Sequence, residues 1–204
     1  MNRFIAGFLT VAAISVAAPV FAQDAAPGPG KVVITVIPGG ATFFTEAEDD
    51  LRGPSFGNYD LGGSVTVNIN RYVGVEGEVS GGIGISQSMQ VGSLSLEEKS
   101  PNLLNYNANL VLSAPNRTSV VPYLTGGVGG LTMFEREVLT VNDADTFLTG
   151  NVGGGLAWYA GRWGLRADYR FIAVQSKEDA SPFFGSEERY GHRVYAGVLL
   201  NVGR

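Results

Sequence analysis

Seven charged side chains occupy alternate positions in stretches that are typical of β-strands, and their natural chemistry is ion pairing. In "WGLRADYRF" (163–171), Arg166, Asp168 and Arg170 alternate with apolar residues. A strand sends successive side chains to opposite faces, so these three share one face. Four acids against three arginines are close to balance, which suits a buried network where each charge needs a partner. The complete set is Asp60, Glu76, Glu78, Arg166, Asp168, Arg170 and Arg193.

The single histidine, His192, is the residue that raises acid–base catalysis as a possibility. Ser186, Glu187 and Glu188 precede it, so a nucleophile type and a carboxylate type are close in sequence. A nucleophile needs a base within hydrogen-bond reach, and the base needs an orienting partner, but this spacing matches no defined motif. We interpret His192 as an interface residue and expect no enzymatic activity. A lipid-modifying enzyme at the rim, with His192 as base, stays open as an alternative.

Composition places the chain among glycine-rich β proteins and removes several classes of function. The 204 residues suit one domain or at most two, and the absence of cysteine excludes disulfides and thiolate metal sites. A hydrophobic content of 45% argues against disorder, and a net charge of −5 argues against nucleic acid as a partner. The acidic stretch "EAEDD" (46–50) lacks the spacing of a calcium loop. We expect neither a metal nor a cofactor.

The first 22 residues are typical of a secretory signal. Arg3 supplies the positive start, an apolar stretch follows, and "VFA" (20–22) provides small residues before a cleavage point. Residues 23–30 then form a short flexible lead-in, and 31–204 form the folded domain. No later run is apolar and long enough for a membrane helix, but the strands of a β-barrel need only about 9–11 residues each.

Period-two alternation recurs along the rest of the chain and predicts eight strands. Short connections at 68–72, 114–119 and 160–163 alternate with longer ones. In an antiparallel meander this order places the short turns at one end and the long loops at the other, as in bacterial outer-membrane barrels. The predicted strands span 31–44, 56–69, 71–85, 101–113, 119–134, 146–159, 162–175 and 190–203.

Charge sorts between the two ends by sign. Most of the 19 acidic residues lie in the long loops at 45–55, 86–100, 135–145 and 176–189. The short turns carry Arg71, Arg117 and Arg162 instead. The general polarity of loops accounts for the presence of charge but not for this sorting.

One face of each predicted strand is apolar and the other is polar. The apolar faces end near the short turns in aromatics that suit a membrane-interface belt: Tyr72, Trp158, Tyr159 and Trp163. The polar face is rich in Asn, Ser, Thr and Gly, whereas a solvated sheet carries more Lys and Glu. We therefore predict an all-β, eight-stranded, antiparallel, up-and-down transmembrane barrel with its apolar face in lipid. A soluble exported barrel that binds an apolar ligand, as lipocalins do, is the alternative.

A polar inner face predicts a filled interior. An eight-stranded barrel is only just wide enough for side chains to fill it, so the seven charges can meet across the lumen. We expect a hydrogen-bonded network with small water pockets and at most a narrow channel. Glycine runs such as "GGVGG" (126–130) and "NVGGG" (151–155) let the wall bend and make room for large internal side chains.

The chain resembles the small outer-membrane barrels of the OmpA and OmpX type over residues 31–204. The resemblance rests on the signal, the eight alternating strands and three segments, "VPYLTGGVGGLTMF", "WGLRADYRF" and "HRVYAGVLLNV". It implies an integral outer-membrane protein with an internal polar network and a structural or adhesive role. The peptidoglycan-binding domain that follows the OmpA barrel has no counterpart in this sequence. Many such barrels also end on an aromatic residue, whereas this chain ends in "NVGR".

Partners follow from this interpretation. We expect outer-membrane lipids, including lipopolysaccharide, to surround the wall. Insertion requires the barrel-insertion machinery, which would read an altered terminal signal. We expect a monomer.

Overall fold

Ten antiparallel strands make up the described part of the computed structural model, which covers residues 28–45, 56–84, 86–91, 94–99, 102–134, 144–175 and 189–203. The predicted signal at 1–22 and most of the acidic residues of the predicted long loops lie outside these ranges. No helix among the described residues is long and apolar enough to cross a bilayer. The strands are β1 (Val32–Thr45), β2 (Phe56–Asn68), β3 (Val73–Gly84), β4 (Ser86–Val91), β5 (Leu94–Lys99), β6 (Asn102–Ser113), β7 (Val120–Phe134), β8 (Ala144–Ala160), β9 (Trp163–Val174) and β10 (Arg189–Val202).

Eight of the strands close into a barrel in the order β1-β10-β9-β8-β7-β6-β3-β2. Every neighbour is antiparallel, and β1 pairs with β10 to complete the ring, with Val32 opposite Val202. Closure removes the unpaired edges that an open sheet would leave in lipid. The predicted eight-stranded, up-and-down barrel is confirmed, and the strand limits agree to within two residues.

The second long connection contains a feature that the sequence did not predict. Strands β4 and β5 pair antiparallel as a separate two-stranded sheet, with Val91 opposite Leu94. Residues 86–100 were expected to be loop, because their charge and short apolar runs hid the alternation. The hairpin belongs to the connection between β3 and β6, at the end of the barrel that carries the long connections.

A register shift interrupts β1 between Val36 and Gly40, where its pairing with both neighbours slips. Pro38 has no N–H to donate to the sheet, so a bulge is the position where a strand tolerates it. Before the shift the inward-facing residues of β1 have odd numbers, such as Val33 and Thr35. After it they have even numbers, such as Thr42. The Oη of Tyr59 donates a 2.9 Å hydrogen bond to the carbonyl of Pro38 on the outer wall.

The outer wall of the barrel is apolar. On β9, Leu165 and Tyr169 are about half exposed, whereas Arg166 and Asp168 between them are buried. The same alternation holds on the other barrel strands, because the two-residue period fixes the face of every side chain once one face meets lipid. The exposed apolar positions include Val65, Val67, Val75, Val79, Leu110, Leu124, Val128, Leu148, Val152, Leu156, Val194 and Val198.

The inside of the barrel is layered rather than uniformly polar. Apolar side chains pack together at each end, and the charged residues occupy the middle. The cluster at the long-loop end contains Phe44, Leu103, Leu131, Met133, Phe147, Ile172 and Val174. The cluster at the turn end contains Val33, Val111, Val121, Tyr123, Ala157, Tyr159 and Leu199. These residues point inward at the strand ends, where the sequence had suggested only polar contents.

Residues 28–30, expected to be part of a flexible lead-in, are held against the turn end of the barrel. The N–H of Gly30 donates to Asn201 Oδ1 at 2.6 Å, and Asn68 Nδ2 donates to the Gly30 carbonyl at 2.7 Å. Asn201 Nδ2 also donates to the carbonyl of Gly28 at 3.0 Å. Two inward asparagines at the ends of β2 and β10 thus fix the segment. Residues 23–27 lie outside the described part of the chain.

The tight turn between β8 and β9 depends on Gly161. Its φ of +71° lies in the left-handed region, which side chains with a Cβ enter only at a cost. Glycine at the first central position of a two-residue hairpin loop matches a type II′ turn, whose twist suits paired strands. Only Gly161 and Gly203 have positive φ among the described residues.

We predict that Gly161→Ala lowers the free energy of unfolding by about 1 kcal/mol, because alanine must adopt the strained left-handed conformation. Urea unfolding in detergent micelles, followed by the mobility difference between folded and heated protein on gels, measures the change. Gly150→Ala is the matched control, since a Cβ there meets no atom within 4 Å. Equal stability of both variants would contradict the role given to Gly161.

Candidate functional site

The charged residues come from opposite walls of the barrel. Glu76 and Glu78 point inward from β3, and Arg166, Asp168 and Arg170 point inward from β9. Strands β3 and β9 are four places apart in either direction around the eight-stranded ring. Each of these side chains is at most 5% exposed. The lumen is therefore narrow enough for glutamate and arginine to span it and touch.

Glu76 is the centre of this charge cluster. Arg166 Nη1 donates to Glu76 Oε2, and Arg170 Nη2 donates to Oε1 at 2.8 Å. Ser64 and Thr66 add hydroxyl donors to Oε2 at 3.2 and 3.1 Å. One carboxylate thus joins two guanidinium groups from the far wall and two hydroxyls from β2. Because charge-assisted hydrogen bonds are the strong ones, this arrangement offsets the desolvation of a buried carboxylate.

Asp168 lies between the two arginines of its own strand. Arg166 Nη2 donates to Asp168 Oδ2 at 2.9 Å, and Arg170 Nε donates to Oδ1 at the same distance. Residues 166, 168 and 170 share the inner face because they are two apart, so the strand itself sets this spacing. Asp168 separates two like charges that would otherwise repel each other in a medium of low dielectric constant.

Glu78 extends the cluster to β10. Arg193 Nη2 donates to Glu78 Oε1, and Arg193 Nη1 donates to Ser80 Oγ at 3.0 Å. Arg170 Nη2 lies 3.4 Å from Glu78 Oε2, which links this pair to the one at Glu76. The structure therefore brings six of the seven residues from the sequence analysis into one ion-pair network.

Asp60 is the member that stays apart. Its Oδ2 accepts a hydrogen bond from Thr42 Oγ1, but Oδ1 has no hydrogen-bond partner. No arginine of the described chain lies within ion-pair distance of it. Asp60 is buried on β2, where it pairs with Gly82, four residues closer to the long-loop end than Glu78. Leu103 and Asp60 both lie next to Gly82. The sequence showed which face Asp60 occupies, but it could not show that the arginines stop short of it.

Tyrosines that the sequence analysis did not single out orient the cluster. Arg166 Nε donates to Tyr123 Oη at 2.7 Å, and Tyr123 Oη in turn donates to Asp168 Oδ2. The Arg166 guanidinium also lies 4.6 Å from the ring centre of Tyr123 and 5.7 Å from that of Tyr195. Such cation–π contacts stabilise a desolvated guanidinium. Tyr123 and Tyr195 could have been found from the sequence, because the two-residue period places both side chains on the inner face of their strands, β7 and β10.

Amides and glycines complete the surroundings of the cluster. Asn109 donates to Glu76 Oε1 at 3.2 Å, and Arg170 Nη1 donates to Asn151 Oδ1 at 3.3 Å. Gly155 faces inward opposite Asp168, where a Cβ would collide with the backbone of β9 and lie 2.5 Å from Tyr123 Oη. The glycine run on β8 thus leaves room for tyrosine and arginine, as the sequence suggested.

Three of the four aromatics assigned to an interface belt lie on the outer wall near the short turns. Tyr72, Trp158 and Trp163 are between 39% and 61% exposed. Tyr159 does not belong with them, because its side chain is buried inside the barrel at 6% exposure. The strand period requires this: if Trp158 faces out, the next residue must face in.

His192 lies on the outer wall near the long-loop end. Its Nδ1 is 2.8 Å from Tyr169 Oη, and neither a serine nor a carboxylate contacts it within the described chain. Ser186, Glu187 and Glu188 lie outside the described residues. No cluster of three or more metal-binding side chains is found in the ranges that the structure covers.

The chain matches the family model described as outer membrane protein beta-barrel domain over residues 8–203. The protein belongs to this outer-membrane barrel family. Its wall of exposed apolar residues agrees with that assignment and places the barrel in the bacterial outer membrane. The alternative of a soluble barrel with an apolar interior is wrong, because Leu165 and Tyr169 face outward while Arg166, Asp168 and Arg170 point into the bore.

Several solved outer-membrane proteins are similar to this chain. Neisserial surface protein A, NspA, matches 85% of this chain and 99% of its own with a TM-score of 0.62 and 13% identity. The N-terminal barrel of Pseudomonas aeruginosa OprF matches 84% and 99% with a TM-score of 0.47 and 11% identity. For the Yersinia pestis attachment invasion locus protein Ail, the match covers 84% of this chain and 99% of Ail, with a TM-score of 0.47 and 15% sequence identity. Among curated proteins, none matches this chain by sequence.

We predict that Glu76→Gln destabilises this outer-membrane barrel by about 3 kcal/mol or more, because breaking a buried pair leaves two guanidinium groups without their shared charge. Urea unfolding in detergent micelles measures the loss. Asp60→Asn is the matched control: the amide retains an acceptor for Thr42, and no ion pair is lost. We expect it to change stability by about 1 kcal/mol or less. A larger loss for Asp60→Asn than for Glu76→Gln would contradict the network described above.

Proposed function

We propose that the protein is a structural and surface-interaction barrel of the outer membrane whose interior does not form an open pore. One observation carries this proposal: three arginines from β9 and β10 contact the two inward glutamates of β3 across the lumen. Side chains that meet at hydrogen-bond distance leave no continuous water path between them. The apolar cluster at the long-loop end adds a second layer that ions do not enter readily.

The space inside the barrel supports the same proposal. A pocket near the turn end is lined by residues that include Pro29, Val33, Val121 and Tyr159. Arg166 forms part of its lining, where the charge cluster begins. The pocket therefore leads from the turn end to the ion pairs. In this arrangement the ion pairs close the middle of the barrel, and the apolar cluster closes its long-loop end.

Interaction with the outside belongs to the long connections. Strands carry the fold, whereas loops on a rigid scaffold carry recognition in many proteins. The β4–β5 hairpin gives one of these connections a defined backbone.

We predict that the purified wild-type protein gives no steady conductance in planar lipid bilayers. A double substitution of Glu76 and Arg166 by serine removes the central pair without changing the net charge. We expect it to conduct only when Phe44→Ala and Phe147→Ala also thin the apolar layer. Single-channel recordings compare the wild type, the serine double variant, the Phe44→Ala and Phe147→Ala double variant, and the variant that combines all four changes. Heat-modifiable gel mobility establishes that each protein is folded.

A steady ohmic conductance of the wild type would overturn the proposal of a closed interior. Conductance of the Glu76 and Arg166 double variant alone would show that the apolar layer does not block ions. In a separate control, the hairpin 86–99 is replaced by a short turn. The barrel should then keep its heat-modifiable mobility, because the hairpin forms a sheet of its own.

A further inference from the structure

An aromatic sector covers one side of the outer wall near the long-loop end. It consists of Phe43, Tyr169, Phe171, Tyr190 and His192, on the adjacent strands β1, β9 and β10. The rings of Phe171 and Tyr190 stack with centres 5.5 Å apart, and the His192 ring meets Phe171 edge-on at the same distance. These side chains face away from the bore, because their sequence neighbours Arg170 and Arg193 point into it.

The height of this sector follows from the strand geometry. Leu200 pairs with Trp163 at the turn end, and His192 lies eight residues before Leu200 on β10. At about 3.3 Å per residue and a tilt of about 40°, eight residues span roughly 20 Å along the membrane normal. The apolar band of such barrels is about 25 Å tall, so His192 lies close to its outer boundary. Lipid headgroups of the outer leaflet meet the wall at this level.

The hydrogen bond between Tyr169 and His192 defines which ring nitrogen faces the lipid. Tyr169 Oη lies 2.8 Å from His192 Nδ1 and has no other hydrogen-bond partner in the described chain. We assign the tautomer in which the phenol donates its proton to Nδ1. In this tautomer the ring proton is on Nε2. Within the described chain Nε2 has no acceptor. A polar N–H at the edge of hydrocarbon needs an acceptor, because an unsatisfied group there is costly.

We propose that His192 Nε2, positioned by Tyr169, binds a phosphate of the phosphorylated glycolipid that forms the outer leaflet of the bacterial outer membrane. A phosphate oxygen is a strong acceptor for this N–H, and the rings beside it offer flat apolar surface against which a sugar can pack. The inference depends on the membrane placement of the barrel. It does not depend on whether the interior conducts, so a conducting wild type would leave it intact.

His192 is the sole histidine of the sequence, so labelling all histidine with ¹⁵N gives signals from one residue. Solid-state NMR of the labelled protein in bilayers containing lipid A measures the dephasing of each ring nitrogen by ³¹P. We expect dephasing of Nε2 and a clearly weaker effect on Nδ1. Bilayers of lipid A without its phosphates, and bilayers of phosphatidylcholine, should give much weaker dephasing of Nε2.

The Tyr169→Phe variant tests whether Tyr169 positions the ring proton of His192 or whether His192 is merely close to the lipid phosphate. Without the phenol donor the proton can move between the two nitrogens, so dephasing should fall at Nε2 and the two ¹⁵N signals should approach each other. Tyr106→Phe is the matched control, because Tyr106 is an equally exposed tyrosine on β6 with no contact to His192. It should leave both signals unchanged. Gel mobility of folded and heated samples establishes that each variant is folded.

Two results would overturn the proposal. The first is an Nε2 signal that ³¹P does not dephase in lipid A bilayers. The second is equal dephasing in phosphatidylcholine, which would mean that His192 contacts any phospholipid rather than the glycolipid.

Discussion

The carboxylate of Glu76, bound between two guanidinium groups from the opposite wall, is the interaction on which the interior depends. A closed barrel in lipid satisfies its backbone internally and turns its apolar faces outward, so polar side chains have only the lumen to occupy. Charges in that small volume must pair, since a lone buried charge is costly. The network at Glu76, Asp168 and Glu78 meets this requirement with contributions from β3, β9 and β10.

Most of the fold could be predicted from the sequence because it depends on a single period. Alternation set both the strands and their faces, and the spacing of turns set the topology. What the alternation could not supply was local: the bulge at Pro38, the hairpin β4–β5 and the inward apolar clusters at the strand ends. Tyr159 was misassigned because its aromatic character was given more weight than its position next to Trp158, which the period places on the opposite face.

The sequence predicted which charged residues belong to the candidate site, but not which of them contact each other. Residue parity placed all seven charges on inner positions, yet the partner of each depends on strand stagger across the barrel. The displacement of each strand along its neighbour brings Arg170 to both Glu76 and Glu78. The same displacement leaves Asp60 with Thr42 as its hydrogen-bond donor. The contribution of Tyr123 and Tyr195 was hidden because tyrosine suits the lipid interface as well as a buried cation.

The outer and inner faces of the barrel therefore carry different kinds of specificity. Inside, ion pairs join distant strands and hold the wall in one arrangement. Outside, the aromatic sector around His192 places stacked rings and an imidazole on one side of the wall near the long-loop end.

The orientation of the two faces is most directly tested with nitroxide labels in lipid bilayers. The chain has no cysteine, so single substitutions such as Leu124→Cys, Thr125→Cys, Leu148→Cys and Thr149→Cys each carry one label. Collision with oxygen, which concentrates in lipid, is predicted to be high at the two leucine positions and low at the two threonine positions. High collision rates at 125 and 149 with low rates at 124 and 148 would contradict an apolar wall around an ionic interior.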